Sequence, residues 1–271
     1  MPPGSDFADE QLTLRVDDVP LRIAAVRRDG ERAPVVFLHG FGSTKEDYVD
    51  FVHRPEFAGR PFLAYDAPGC GGSEGDDAAR ISVPFLVRTA QAVLRRSGIE
   101  RFHVVGHSLG GLTALLLAHQ EPHRVLSFVD IEGNLTSEDC FLSRQIVTHP
   151  ADDDKRFVDG LVERAHRSSE YASALYAASL RHKVRPRAVR GIFESMVDLS
   201  DHGDLLTKFL ALPFPRMFMY GEQNASLPYL PELAANGVEL AQVPHSGHWP
   251  MYSNPAWMWA RIAAFHAHTD C

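Results

Sequence analysis

The residue best placed for chemistry is a serine between two glycines, in Gly106-His107-Ser108-Leu109-Gly110. A short apolar run, Phe102–Val105, leads directly into it, and a Leu- and Ala-rich segment, Leu109–His119, leads out. A serine at such a strand-to-helix turn is held in a strained backbone conformation with its hydroxyl exposed. Side chains at 106 and 110 would collide in so sharp a turn. The helix that follows aims the positive end of its dipole at negative charge developing near the hydroxyl. An inert serine in a glycine-rich turn would share the five-residue pattern, but not the strand and helix around it. Ser108 is therefore the candidate nucleophile.

A nucleophilic serine needs donors for the oxyanion that its attack creates. His39-Gly40-Phe41-Gly42 follows the apolar run Val35–Leu38 and can present the Phe41 N–H. The second donor is the N–H of Leu109, just after the serine. Both are backbone groups, so neither side chain is a catalytic part. Asp66-Ala67-Pro68-Gly69-Cys70-Gly71-Gly72-Ser73 follows the run Phe62–Tyr65. It lacks the Lys-Ser/Thr ending of a phosphate-binding loop and opens no G-x-G-x-x-G helix, so it reads as structural.

His-Gly after one strand, D-x-P-G-x-G-x-S after the next and G-H-S-L-G after a third together resemble the α/β-hydrolase superfamily. Ser246-Gly247-His248-Trp249-Pro250 is similar to that family's histidine loop. The likeness covers residues 34–122 and 214–266. It implies a serine hydrolase of esterase or lactonase type, with the catalytic acid and then the histidine following the serine along the chain. Of 14 histidines, His245 and His248 lie in the loop after the last strand, and His248 is the expected base. The resemblance also implies an aspartate after the strand Arg216–Tyr220. That loop reads Gly221-Glu222-Gln223-Asn224-Ala225, with Asn224 at the expected place. An amide cannot stabilise an imidazolium by charge; in a serine protease the exchange costs about 10⁴ in kcat. Glu132, at the end of the preceding strand, is the expected acid, ahead of Glu222 and Asp130. It should lie about 2.6–3.2 Å from His248, and Asn224→Asp should partly rescue its loss. His107 and Trp249 flank the serine and the histidine and are expected to touch substrate.

These residues need a scaffold. Val35–Leu38, Phe62–Tyr65, Phe102–Val105 and Val125–Ile131 are nearly continuous apolar runs, suited to parallel strands covered on both faces. Helical patterns at Phe85–Arg96 and Leu109–His119 alternate with them. The fold class is α/β, a mostly parallel sheet with helices on both faces. Leu12–Val16 and Leu21–Val26 read as an exposed antiparallel hairpin ahead of it. From 133 to 213 the alternation stops. Helices are predicted at Lys155–His166, Ser169–His182 and Arg187–Val197, and the sheet resumes with Arg216–Tyr220 and Val238–Val243, before a last helix at Pro255–His266. Residues 1–132 and 214–271 form the core domain, and 133–213 an inserted helical cap over the serine, since long insertions in compact domains are usually functional.

Composition narrows the partners. With 27 basic against 35 acidic residues the net charge is −8, which argues against a nucleic-acid partner. The three cysteines, Cys70, Cys140 and Cys271, form neither a disulfide framework nor a zinc-ligand pattern, and they fit a reducing, cytoplasmic compartment. The first six residues lack the basic and apolar regions of a leader, and no apolar run is long enough to span a bilayer. The expected partner is a small acyl substrate, with no membrane, cofactor or metal. Hydrolysis through an acyl-Ser108 intermediate is the leading mechanism. A slow or non-catalytic ligand receptor, a carbon–carbon bond hydrolase, a thioesterase, an amidase or a cofactor-free lyase would use the same residues. Neither the substrate nor the oligomeric state is legible.

Overall fold

The computed structural model describes residues 7–75, 77–151 and 153–269. The N-terminal residues read above as lacking a leader, and Cys271, lie outside them. Among the described residues nine strands form one sheet: β1 (Ala8–Val16), β2 (Val19–Arg28), β3 (Val35–Leu38), β4 (Phe62–Tyr65), β5 (Glu74–Gly75), β6 (Phe102–His107), β7 (Val125–Ile131), β8 (Arg216–Gly221) and β9 (Glu239–Val243). Their order is β1-β2-β4-β3-β6-β7-β8-β9, with β5 on β2. From β4 to β9 every neighbour pair is parallel, whereas β2 runs antiparallel to β1, β4 and β5.

Alternation along each strand explains why the apolar runs are continuous. Val36, Leu38, Val104, Phe128 and Phe218 point to one core, shared with α1 (Val83–Arg96) and α2 (Leu109–Gln120). Val35, Phe37, Val105, Val129 and Met217 point to the other. That second core is closed by Met258, Trp259, Ile262 and Phe265 of the C-terminal helix, Pro255–Thr269. Helices thus cover both faces of a mostly parallel sheet. The N-terminal hairpin is less exposed than expected. β2 pairs with β4 along its second edge, Ala25 opposite Tyr65, and is largely buried, while β1 keeps an exposed face.

Between β7 and β8 lie α3 (Asp154–His166), α4 (Tyr171–Lys183), α5 (Pro186–His202) and α6 (Leu205–Leu210). The first three follow the predicted segments to within a few residues; α6, only six residues long, was too short to show a period. Arg190 of α5 organises this layer. It donates to Asp154 at 3.0 Å, to the Pro150 carbonyl at 2.7 Å and to Glu194 at 3.2 Å. The Gly69–Ser73 turn attaches the layer to the core: Gly71 N–H donates to Lys183 O and Arg185 N–H to Gly69 O, both at 2.8 Å. After β8 come α7 (Leu230–Ala235), α8 (Pro250–Ser253) and α9, the C-terminal helix. Among the described residues no helix is long and apolar enough to cross a membrane.

Candidate active site

Ser108 sits between β6 and α2 with φ 52° and ψ −120°, a conformation few L-residues adopt. Its N–H donates to the Ile131 carbonyl at 2.9 Å. The flanking glycines are sterically required: a Cβ at 106 would lie 2.5 Å from Gly110 O, and one at 110 only 2.0 Å from Leu38 O. The half-buried Oγ of Ser108 lies 3.0 Å from His248 Nε2. For that nitrogen to accept the serine proton, the other, Nδ1, must carry the ring hydrogen.

Nδ1 faces Glu132. The separation to Oε2 is 3.6 Å, longer than the expected hydrogen bond but within ion-pair range. The carboxylate is drawn towards β8: Gly221 N–H donates to Oε1 at 2.7 Å, and Asn224 Nδ2 lies 2.9 Å from both oxygens. The backbone at Glu132 is left-handed, φ 54°, so strand alternation ends at Ile131 and no longer decides where this side chain points. Asn224 is thus a donor to the carboxylate and not its substitute. With Glu132 intact, an aspartate at 224 would face it with like charge. Glu222 is turned elsewhere, accepting the N–H of exposed His245 at 2.8 Å. Asp130 is fully buried against the backbone of Gly111 and Gly133. Burial first, and Asp139 second, hold its carboxyl well above the ordinary range, against an opposing backbone contact from Gly133.

The loop after β3 is rigid for a traceable reason. His39 Nδ1–H donates to Gly40 O at 2.8 Å, and Ser43 N–H donates to the same oxygen at 3.1 Å. The other His39 nitrogen accepts the Ala67 N–H at 2.8 Å, so one tautomer satisfies both bonds. A peptide is planar, with N–H opposed to C=O in the trans form. Pinning the Gly40 carbonyl therefore sets the direction of the Phe41 N–H. Leu109 is the first residue of α2, where N–H groups have no intrahelical partner. His107 is buried and donates from Nε2 to the His248 carbonyl at 2.7 Å. Burial, and next the charge of His248, push its pKa down to about 3, so it stays neutral and braces the histidine loop.

A cavity of about 350 Å³ opens above Ser108 and His248. Phe41, Phe141, Leu142, Leu161, Tyr176 and Trp249 supply its apolar wall, and Arg164, Glu170 and Gln223 its polar side. His107 and Trp249 both line it, as does Asn224. Tyr176 stacks on Trp249 at 4.7 Å and donates to the Phe41 carbonyl at 3.0 Å. A larger groove of about 750 Å³ lies between the Gly69–Ser73 turn and the start of α5, and neither Ser108 nor His248 lines it. Among the described residues no three His, Cys, Asp or Glu side chains converge as metal ligands.

The model of the alpha/beta hydrolase family matches residues 35–261. The dihydrolipoyllysine-residue acetyltransferase component of an acetoin cleaving system from Cupriavidus necator is 36% identical over 131 residues, 46% of this chain and 34% of that protein. The chain thus spans about a third of that relative's length. A pimeloyl-[acyl-carrier protein] methyl ester esterase from Aeromonas hydrophila is 28% identical over 253 residues, 85% of this chain and 94% of the esterase. The crystal structure of an N-acyl homoserine lactonase complexed with N-hexanoyl homoserine superposes with a TM-score of 0.75 at 19% identity, covering 97% of each chain. That last likeness concerns the fold.

Proposed function

We propose that this chain, which belongs to the alpha/beta hydrolase family, is a serine hydrolase that cleaves esters or lactones of small to medium, largely apolar acyl compounds. The observation that carries the reading is the 3.0 Å contact of Ser108 Oγ with His248 Nε2, with Glu132 facing the other ring nitrogen. His248 takes the Ser108 proton as Oγ attacks the acyl carbon. Glu132 holds the imidazole in the required tautomer and stabilises the imidazolium. The Phe41 and Leu109 N–H groups receive the oxyanion. His248 returns its proton to the leaving oxygen, then draws one from the water that releases the acyl group from Ser108. Residues 133–213 act as a cap, since Leu161 and Tyr176 face the same cavity as the nucleophile.

The apolar wall and the cavity volume suit a medium acyl chain. Cleavage of an acyl–oxygen bond agrees with what the Aeromonas relative is named for. The partner is then a small molecule, without nucleic acid, membrane or cofactor. The free, buried Cys70 and Cys140 suit the cytoplasm. The test is fluorophosphonate labelling, followed by a panel of aryl esters, thioesters and lactones. Labelling should be complete in the native chain and absent in Ser108→Ala, with ester turnover lost by at least about 10⁴-fold. Undiminished turnover in the variant would sink the proposal. A second reading, a receptor of slow turnover, draws on the 3.6 Å gap between Glu132 and His248; a burst of one equivalent followed by near-zero turnover would favour it.

A further inference from the structure

A carboxylate offers roughly four acceptor positions. Around Glu132 three of them are taken from one side. Oε1 receives the Gly221 N–H at 2.7 Å and Asn224 Nδ2 at 2.9 Å; Oε2 receives the same Asn224 nitrogen at 2.9 Å. The position left over, on Oε2, is the one that faces His248 Nδ1. Asn224 suits this place because its NH₂ is a donor. With the amide reversed, its oxygen would stand against two carboxylate oxygens and be repelled.

We infer that Asn224 is a positioning residue, whose amide clamps the Glu132 carboxylate so that its one free acceptor site meets His248. The inference rests on the serine-hydrolase reading and deepens it. The turn that carries Asn224 is also tied to the histidine loop, since the neighbouring Gln223 N–H donates to the Ser246 carbonyl at 3.1 Å. The Glu132 N–H donates to Met219 O at 2.9 Å, so the same strand, β8, holds this residue by backbone and by side chain. One short turn therefore sets both partners of the acid–base pair. Glu132 has a positive φ and a side chain 6% exposed; among the described residues, Asn224 supplies the hydrogen bond to Oε2, and His248 Nδ1 stands farther off at 3.6 Å.

The clamp acts on the proton-transfer step, not on substrate binding. In Asn224→Ala, kcat should fall about 10- to 100-fold, the worth of a hydrogen bond to a charged group, with KM within about twofold of wild type. In a Glu132→Gln background the same change should cost little more, because the clamp has then nothing left to orient. Asn224→Asp, which keeps size and exchanges donor for acceptor, should be at least as damaging as Ala. Circular dichroism and thermal melting show whether each variant is folded. Full kcat in a folded Asn224→Ala or Asn224→Asp, a loss confined to KM, or a loss that multiplies with that of Glu132→Gln would overturn the inference. Fluorophosphonate labelling separates the two levels: unlabelled native enzyme brings down the serine-hydrolase reading and the clamp with it. Labelled enzyme with an unaffected Asn224→Ala brings down the clamp alone.

Discussion

Beneath Ser108, Glu132, Asn224 and Gly221 are joined by hydrogen bonds of 2.7–2.9 Å, and Ser108 and Glu132 both have a positive φ. Above it, the layer between β7 and β8 meets the cavity mainly through side-chain surfaces. Phe141 is 65% exposed, with its ring 6.0 Å from that of His248, and Tyr171 on the same layer is 72% exposed. The floor is polar and hydrogen-bonded, while the roof is largely apolar, with Arg164 and Glu170 on its polar side, and partly open. Hydrogen bonds fix direction to a few tenths of an ångström, as proton transfer requires. Apolar contact fixes only volume and exclusion of water, and so can select a chain length without setting an angle. Changes in the floor should therefore appear in kcat, and changes in the roof in KM.

The largest effect expected from this contrast belongs to Glu132. Glu132→Gln should lower kcat on the order of 10³–10⁴-fold, with KM little changed. A loss below about tenfold would mean that the floor does not carry the imidazolium charge. Next is the buried acid behind it. The Asp130 carboxyl titrates above its unfolded value of about 3.9. The stability that its protonated form contributes is complete below that pH and is lost as pH rises towards the folded pKa. Over that window the native chain should lose about 1.4 kcal/mol per pH unit relative to Asp130→Asn. Denaturant titrations of both chains from acid to neutral pH check this, and a gap that stays constant would mean that Asp130 is ionised in the fold. The smallest effect is in the roof. Phe141→Ala should raise KM for medium-chain esters by a few-fold at most and leave kcat and the melting temperature unchanged, because the ring is mostly in solvent. A kcat loss equal to that of Glu132→Gln would erase the distinction between roof and floor.

Much of the candidate site was legible in the sequence. The strand, the glycine-flanked serine and the following helix are neighbours along the chain, so their pattern survives in one dimension. The same holds for Gly247-His248-Trp249-Pro250 after the last strand. The candidate acid was legible only as a choice among Glu132, Glu222 and Asp130, since each lies near a strand end. Asn224 was legible as an anomaly but not as a donor. Tyr176 offered no signal beyond its aromaticity, because its partner Phe41 is 135 positions away in sequence.

The amino-acid sequence by itself determined the longer elements and the serine turn, because period, glycine placement and apolar runs act between residues a few positions apart. The tertiary structure alone decided which carboxylate faces His248 and what holds it there. Glu132 follows β7, Asn224 follows β8 and His248 follows β9, and these three strands are adjacent in the order β7-β8-β9. Only that adjacency brings three loops to one edge of the sheet. There, distances of a few tenths of an ångström separate a hydrogen bond from an ion pair, and no spacing along the chain encodes them.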